Sequence, residues 1–191
     1  MKKILVLNAN PVKGSLGEAI AVAYAQAALE SGHEVRQVNV GDLGFEPSLK
    51  GGYHRETPVE NDLEAQQALL LWCEHLVIVT PNWWSGVPAV FKGYIDRVML
   101  PHFAFAYRSS GLVDGLLKGR SARVIITQDS PGFWSRWMVG DPLWKMLKRG
   151  VLGFCGFAPV KRTVYASVRT ACAGKRSGWL SQAAALGARG A

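Results

Sequence analysis

Apolar runs of strand length alternate along the chain with longer segments whose apolar positions recur every three or four residues. Residues 4–8 form a continuous run suited to a buried strand, and residues 15–30 follow with Leu16, Ile20, Ala23 and Ala27 on one helical stripe. Ser15 with Glu18 three positions on reads as a capping box, and Gly32 supplies a stop. A short strand over residues 34–40 precedes the turn at Gly41-Asp42. The Gly- and Pro-rich stretch 44–58 has no periodicity and reads as an excursion over the surface. Residues 60–75 are helical, with Leu63, Gln67 and Leu70 on one side, and 76–80 form an apolar strand ending at Pro81. A helix over 88–100 with Pro in its first turn, a buried strand over 123–128, a helix over 141–154 and a strand over 160–166 come next. The last segment, 175–191, reads as a helix that frays at Gly187.

Parallel neighbours need a crossover, normally a right-handed helix, so this alternation predicts a parallel sheet covered on both faces. Five such strands suit a doubly wound three-layer α/β sandwich of strand order 2-1-3-4-5, whose ligands sit beyond the carboxyl ends of the strands where the order reverses. The chain has no internal repeat, low-complexity tract or linker, which predicts one domain over residues 1–191.

Composition narrows the function classes. With 49% hydrophobic residues and seven tryptophans among 191, disorder is excluded as the main state. No apolar run reaches the roughly 18 to 20 residues of a membrane-spanning helix. The opening Met1-Lys2-Lys3 precedes an apolar stretch cut short by Asn8 and Asn10, which argues against a secretion signal. Three cysteines without a C-x-x-C pair suit reduced thiols in the cytoplasm, with Cys73 and Cys155 in the core. The four histidines show no metal-ligand spacing, so no metal site is expected, and no G-x-S-x-G marks a hydrolase nucleophile. A net charge of +8 admits nucleic acid, an anionic membrane surface or a phosphorylated small molecule, and says nothing about fold.

The chemistry concentrates in three loops. Residues 8–15 run from a strand into a capped helix, where unpaired amides, the helix dipole, Lys13 and Ser15 suit a phosphate; a plain strand-to-helix turn is the equal alternative. The loop matches neither G-x-x-x-x-G-K-[ST] nor G-x-G-x-x-G. Residues 81–88 set Trp83 and Trp84 side by side at a strand mouth, and two adjacent rings do not easily both face the core, so one is left for a flat ligand whose polar edge Asn82 and Gly86 can bond. Residues 127–134 end a strand in polar groups, with Asp129 and Ser130 suited either to a heterocycle or to capping the next turn.

These loops carry a resemblance. Residues 8–16, the stretch 81–97 reading P-N-W-W-S-G-V-P-A-V-F-K-G-Y-I-D-R, residues 102–107, and 150–157 reading G-V-L-G-F-C-G-F resemble the flavodoxin-like NAD(P)H:quinone oxidoreductases over roughly residues 3–166. The resemblance implies a flavodoxin-like fold and FMN, with FAD as the alternative. Asn10, Ser15 and Leu16 would surround the flavin phosphate. Pro81, Asn82, Trp83, Trp84 and Ser85 would line one face of the isoalloxazine, and Thr127, Gln128 and Asp129 its pyrimidine edge. It further implies hydride transfer from NAD(P)H through the flavin N5 to a quinone-type acceptor, and a homodimer with the acceptor pocket at its interface.

Two departures stand out. Phe133, Trp134 and Trp137 occupy the region where the mammalian members carry a tyrosine and a histidine, leaving solvent, Tyr107 or His102 as proton sources, and Asp129 brings a carboxylate to the flavin edge. A flavodoxin-type electron carrier is disfavoured by the basic charge, since flavodoxins are acidic as a family; a redox-sensing regulatory subunit is left open. Lys145, Lys148 and Arg149 lie at helical spacing and read as a solvated face, not a nucleic-acid surface. One of them, Lys161, Arg162 or Arg108 is the candidate for the extra phosphate of NADPH. Peripheral attraction to an anionic membrane, where quinones partition, is also open.

Overall fold

The two longest buried runs make the centre of the sheet. The computed structural model describes residues 1–54 and 58–191, so residues 55–57 of the expected surface excursion lie outside the described residues. Strand β3 (His75–Pro81) is buried at every position, and β6 (Ser121–Gln128) at every position but its first. They are flanked by β1 (Lys3–Asn8), β2 (Glu34–Asn39) and β7 (Val160–Ala166). All neighbours are parallel, in the order β2-β1-β3-β6-β7. Counting sheet strands alone this is 2-1-3-4-5, with the order reversing between β1 and β3.

Alternate strand residues feed two cores. On one face Ile4, Val6, Val79 and Ile125 pack with α1 (Leu16–Glu30) and α5 (Ala173–Ala188). On the other Leu5, Leu7, Ile78 and Val124 pack with α2 (Asn61–Trp72) and α3 (Ala89–Val98). Burial of these aliphatic side chains contributes about 1.5–3 kcal/mol each and is the main force holding the layers together.

Arg97 ties the excursion to this frame. Its guanidinium, 2% exposed, donates to the carbonyls of Glu46 and Pro58 and to the Glu60 carboxylate. A methyl group on Gly93 would meet Pro47 at 2.4 Å, so the absence of a side chain there lets residues 44–50 lie against α3.

Two expectations need correction, and one small element was not anticipated. The helix expected over 141–154 starts as α4 (Pro142–Lys145) but continues with wider π-type turns over Met146–Gly153, and a second π turn spans Trp134–Met138. A small hairpin of β4 (Phe105–Tyr107) and β5 (Val113–Gly115) precedes β6. Gly187 does not fray: it is buried in the last turn of α5, where a methyl group would stand 2.1 Å from the Tyr24 carbonyl oxygen. Close approach of α5 to α1 requires glycine there.

Candidate active site

The topology sets three loops along one edge of the sheet, since Asn8 lies beside Val79 and Pro81 beside Thr127. Beyond β3 the Asn82 N–H donates to the Thr127 carbonyl at 2.8 Å, extending the pairing by one residue. The chain then reverses. Trp83 and Gly86 exchange both backbone bonds, at 3.0 and 2.9 Å, and the two residues between them have φ of 52° at Trp84 and 63° at Ser85. Both signs match a type I′ turn, which ordinarily takes Asn and Gly because a β-carbon in this region costs about 1–2 kcal/mol per residue. The strained turn holds both indoles out: Trp83 is 44% exposed and Trp84 fully so.

The loop after β6 is built on Gln128. Its buried amide donates to Ser135 Oγ at 2.7 Å and the Ser130 carbonyl at 3.0 Å, and its oxygen accepts from Asn82 Nδ2 at 3.3 Å. Ser130 and Ser135 bond each other at 2.9 Å, which fixes the start of the π turn. Asp129 Oδ1 accepts the Arg169 N–H at 2.8 Å, so one oxygen of that carboxylate is committed to the segment after β7. Asn82 Oδ1 is buried with no hydrogen-bond partner among the described residues.

Between the two loops lies a cavity of about 570 Å³. Pro81, Asn82, Trp83, Trp84, Ser85, Thr127, Gln128 and Asp129, all singled out from the sequence, line it. Ser130, Trp134, Ser135, Val139 and Val168 complete the lining. Trp134, Ser135 and Val139 arrive on the π turn, and Val168 from beyond the last strand; no local spacing announces either.

Asn10, Ser15 and Leu16 do not line this cavity. Asn10 holds its own loop, accepting from the Val12 N–H at 3.0 Å. Ser15 is the N-cap of α1, its Oγ accepting from Glu18 N–H at 3.2 Å. The Glu18 carboxylate closes on the Gly14 N–H at 2.6 Å, not on the cap residue's own amide as a capping box would have it. Leu16 and Gly17 begin the helix, so their amides are donors with no carbonyl one turn back. Lys13 pairs with Asp42 at 3.1 Å.

Tyr107 and Cys155 belong to a second, apolar cavity of about 670 Å³ on the α3 side, which Phe105 and Phe154 also line. The Phe105 and Phe154 rings meet at 4.9 Å, and burial pushes the Cys155 thiol up to about 11, so it is a poor nucleophile near neutrality. Neither Tyr107 nor His102 borders the first cavity.

A doubly wound parallel sheet with its cleft beyond the carboxyl ends of neighbouring strands, here β3 and β6, defines a class of α/β ligand-binding proteins. The family described as having a flavodoxin-like fold matches residues 2–185, and the chain belongs to it. It is 29% identical over 172 residues to a Haemophilus influenzae protein named "uncharacterized NAD(P)H oxidoreductase", covering 86% of this chain and 83% of that one. It is also 29% identical over 179 residues to the FMN-dependent NADH:quinone oxidoreductase of Beijerinckia indica, covering 84% of this chain and 86% of the relative. Among solved structures, the Smu.1420 protein of Streptococcus mutans superposes with a TM-score of 0.84 at 30% identity, over 98% of this chain and 99% of its own.

Proposed function

We propose that this protein is a flavin-dependent NAD(P)H oxidoreductase that passes two electrons from NAD(P)H to a quinone-type acceptor. The observation that carries the reading is the cleft between residues 81–85 and 127–130, with the indoles of Trp83 and Trp84 and the polar side chains of Asn82, Thr127 and Gln128 in one lining. A planar heterocycle bearing ring N–H and carbonyl groups fits that donor and acceptor set. FMN is favoured over FAD by the Beijerinckia indica relative, which is FMN-dependent by name.

When bound, the flavin supplies a two-electron acceptor and donor at its N5. The chain's own residues bind and orient it. Trp83, Trp84 and the strained turn offer one face, while Asn82, Thr127 and Gln128 offer the polar edge. The amides of Leu16 and Gly17, with Ser15 Oγ, would hold the phosphate at the start of α1. Trp83, Trp84 and Trp134 in the lining would offer the flat surface against which a nicotinamide and then a quinone-type acceptor could be held beside the flavin. Solvent is the proton source this lining favours, since among the described residues Asp129 is the one titratable side chain in it and one of its oxygens is held by the Arg169 amide.

We read the acceptor pocket as completed by a second copy of the chain. The exposed apolar residues Trp84 and Trp134 of the cleft lining, the exposed Phe133 and Met138 close to Trp134 in the chain, and the separate apolar cavity around Tyr107 and Phe154 support a homodimer. No helix among the described residues is long and apolar enough to cross a membrane, and the three free cysteines support a cytoplasmic place for what we read as a single domain.

An absorbance spectrum of the purified protein tests the reading, followed without oxygen as NADPH or NADH is added and menadione last. Flavin bands that bleach with nucleotide and return with menadione are expected. Flavin that binds but is reduced by neither nucleotide would make the protein a carrier or sensor, and absence of flavin binding would overturn the reading.

A further inference from the structure

Helical spacing alone makes Lys145, Lys148 and Arg149 a solvated face, but the structure adds to them. Arg136 from the π turn and Arg162 from β7 converge with them on a cavity of about 280 Å³ beside Trp137 and Trp144. Asp141 is the one carboxylate in its lining, and it is paired with Arg162. Arg136, Lys145, Lys148 and Arg149 have no salt-bridge partner among the described residues. Four uncompensated cations around one small pocket repel each other, and an anion between them relieves that repulsion.

The rings add a second element of recognition. Lys148 Nζ lies 5.4 Å and Arg162 Cζ 5.2 Å from the centre of Trp144, so both cations are steered by the indole. Trp137, 74% exposed, has Arg136 Cζ 5.2 Å from its ring centre and much of its surface free for a second flat group. Cations beside an open aromatic suit a phosphate carried on an aromatic nucleoside better than a bare anion.

Position says which nucleoside. A neighbouring cavity of about 420 Å³ shares Arg136, Trp137 and Arg162 with the basic pocket, and shares Gln128 and Ser135 with the candidate flavin cleft. The basic pocket therefore lies near the cleft, on the far side of the buried Gln128–Ser135 pair, within the span of a ligand that extends from the flavin toward a phosphorylated end. Resting on the oxidoreductase reading, we propose that the pocket of Arg136, Lys145, Lys148 and Arg149 binds the 2′-phosphate of NADPH, with the adenine against Trp137, and makes NADPH the preferred donor. NADH lacks that phosphate and gains nothing from the pocket.

Two measurements on the purified protein test this. In steady-state turnover with a saturating acceptor, the Lys148→Gln/Arg149→Gln variant is expected to raise KM for NADPH about tenfold while changing KM for NADH less than twofold. Equal effects on the two nucleotides, or none, overturn the proposal. By calorimetry, which needs no turnover, adenosine 2′,5′-bisphosphate is expected to bind at least tenfold tighter than adenosine 5′-monophosphate, and the variant to lose the difference. Binding of inorganic phosphate as tight as that of the bisphosphate would mark a bare anion site and overturn the nucleotide assignment. If the bisphosphate binds as expected while neither nucleotide is oxidised, the oxidoreductase reading has failed and the donor role falls with it, a result distinct from loss of bisphosphate binding.

Discussion

Trp84 has no part in holding the fold, being fully exposed on a strained turn. Trp84→Ala is therefore expected to leave the melting temperature within about a degree while weakening flavin retention roughly tenfold, because a stacking face worth about 0.5–1.5 kcal/mol beyond its buried area is lost. Flavin content after dialysis, beside a thermal melt, checks both halves; unchanged retention removes the indole from the site. His75 behaves oppositely. It is buried at the start of β3, with Nδ1 2.7 Å from Ser121 Oγ and Nε2 unpartnered among the described residues. Burial, with Lys2, Arg123 and Lys161 nearby, brings its pKa down to about 4. The unfolded chain takes up that proton near pH 6.5, so the unfolded state binds more protons between the two values. Stability is then complete above about pH 6.5 and falls as pH drops toward 4, by up to about 3 kcal/mol. Urea unfolding at a series of pH values should show that slope, and His75→Gln should flatten it. Of these two residues only the exposure of Trp84 was legible in the sequence, because two adjacent tryptophans after an apolar run do not easily both face the core. The environment of His75 is made by strands 46 residues apart, and nothing in its neighbours along the chain records it.

Elements were legible where burial repeats. Apolar runs located β1, β3 and β6, the turn at Gly41-Asp42 bounded the more polar β2, and the Ser15 cap and Gly32 stop located α1 to within a residue, because these signals are local. The hairpin of β4 and β5 was missed since its strands have three residues each, too short for alternation to register. The widening of the 142–153 helix into π turns was missed for a related reason: side chains at three, four or five residue spacing look alike over so short a span. Gly187 is the instructive error. A glycine near a chain end suggests fraying, whereas its fit against the Tyr24 carbonyl is a fact of how two distant helices pack. Gly187→Ala is accordingly expected to force α5 off α1 and to cost about 1–3 kcal/mol, read as a lowered urea midpoint with an unchanged slope. A variant as stable as the parent would mean that the helices slide apart without loss.

At the scale of the whole molecule, one edge of the sheet carries both the cleft and a run of exposed apolar side chains. Phe133, Trp134, Trp137, Met138 and Val139 are exposed in near succession, beside Trp83 and Trp84. Scattered apolar residues on a surface need no explanation, but a contiguous set at the mouth of a cleft is the kind that a partner covers. A second copy of the chain satisfies this without further components, and a two-fold arrangement would present the same patch from both sides. Mass action then gives a test that does not depend on catalysis. If folding and pairing are coupled, the melting temperature rises with protein concentration, as it does for any state stabilised by association. Light scattering at micromolar concentration is expected to give twice the chain mass, and Met138→Glu, which sets a charge in the patch at a position already open to solvent, to shift the protein toward the single chain while leaving its circular dichroism unchanged. In that variant the flavin should still bind, since Met138 does not line the cleft, but acceptor turnover should fall if a second copy completes the pocket as proposed. A concentration-independent melt together with a single-chain mass in the parent protein would refute the dimer, and would require each chain to complete its acceptor site alone.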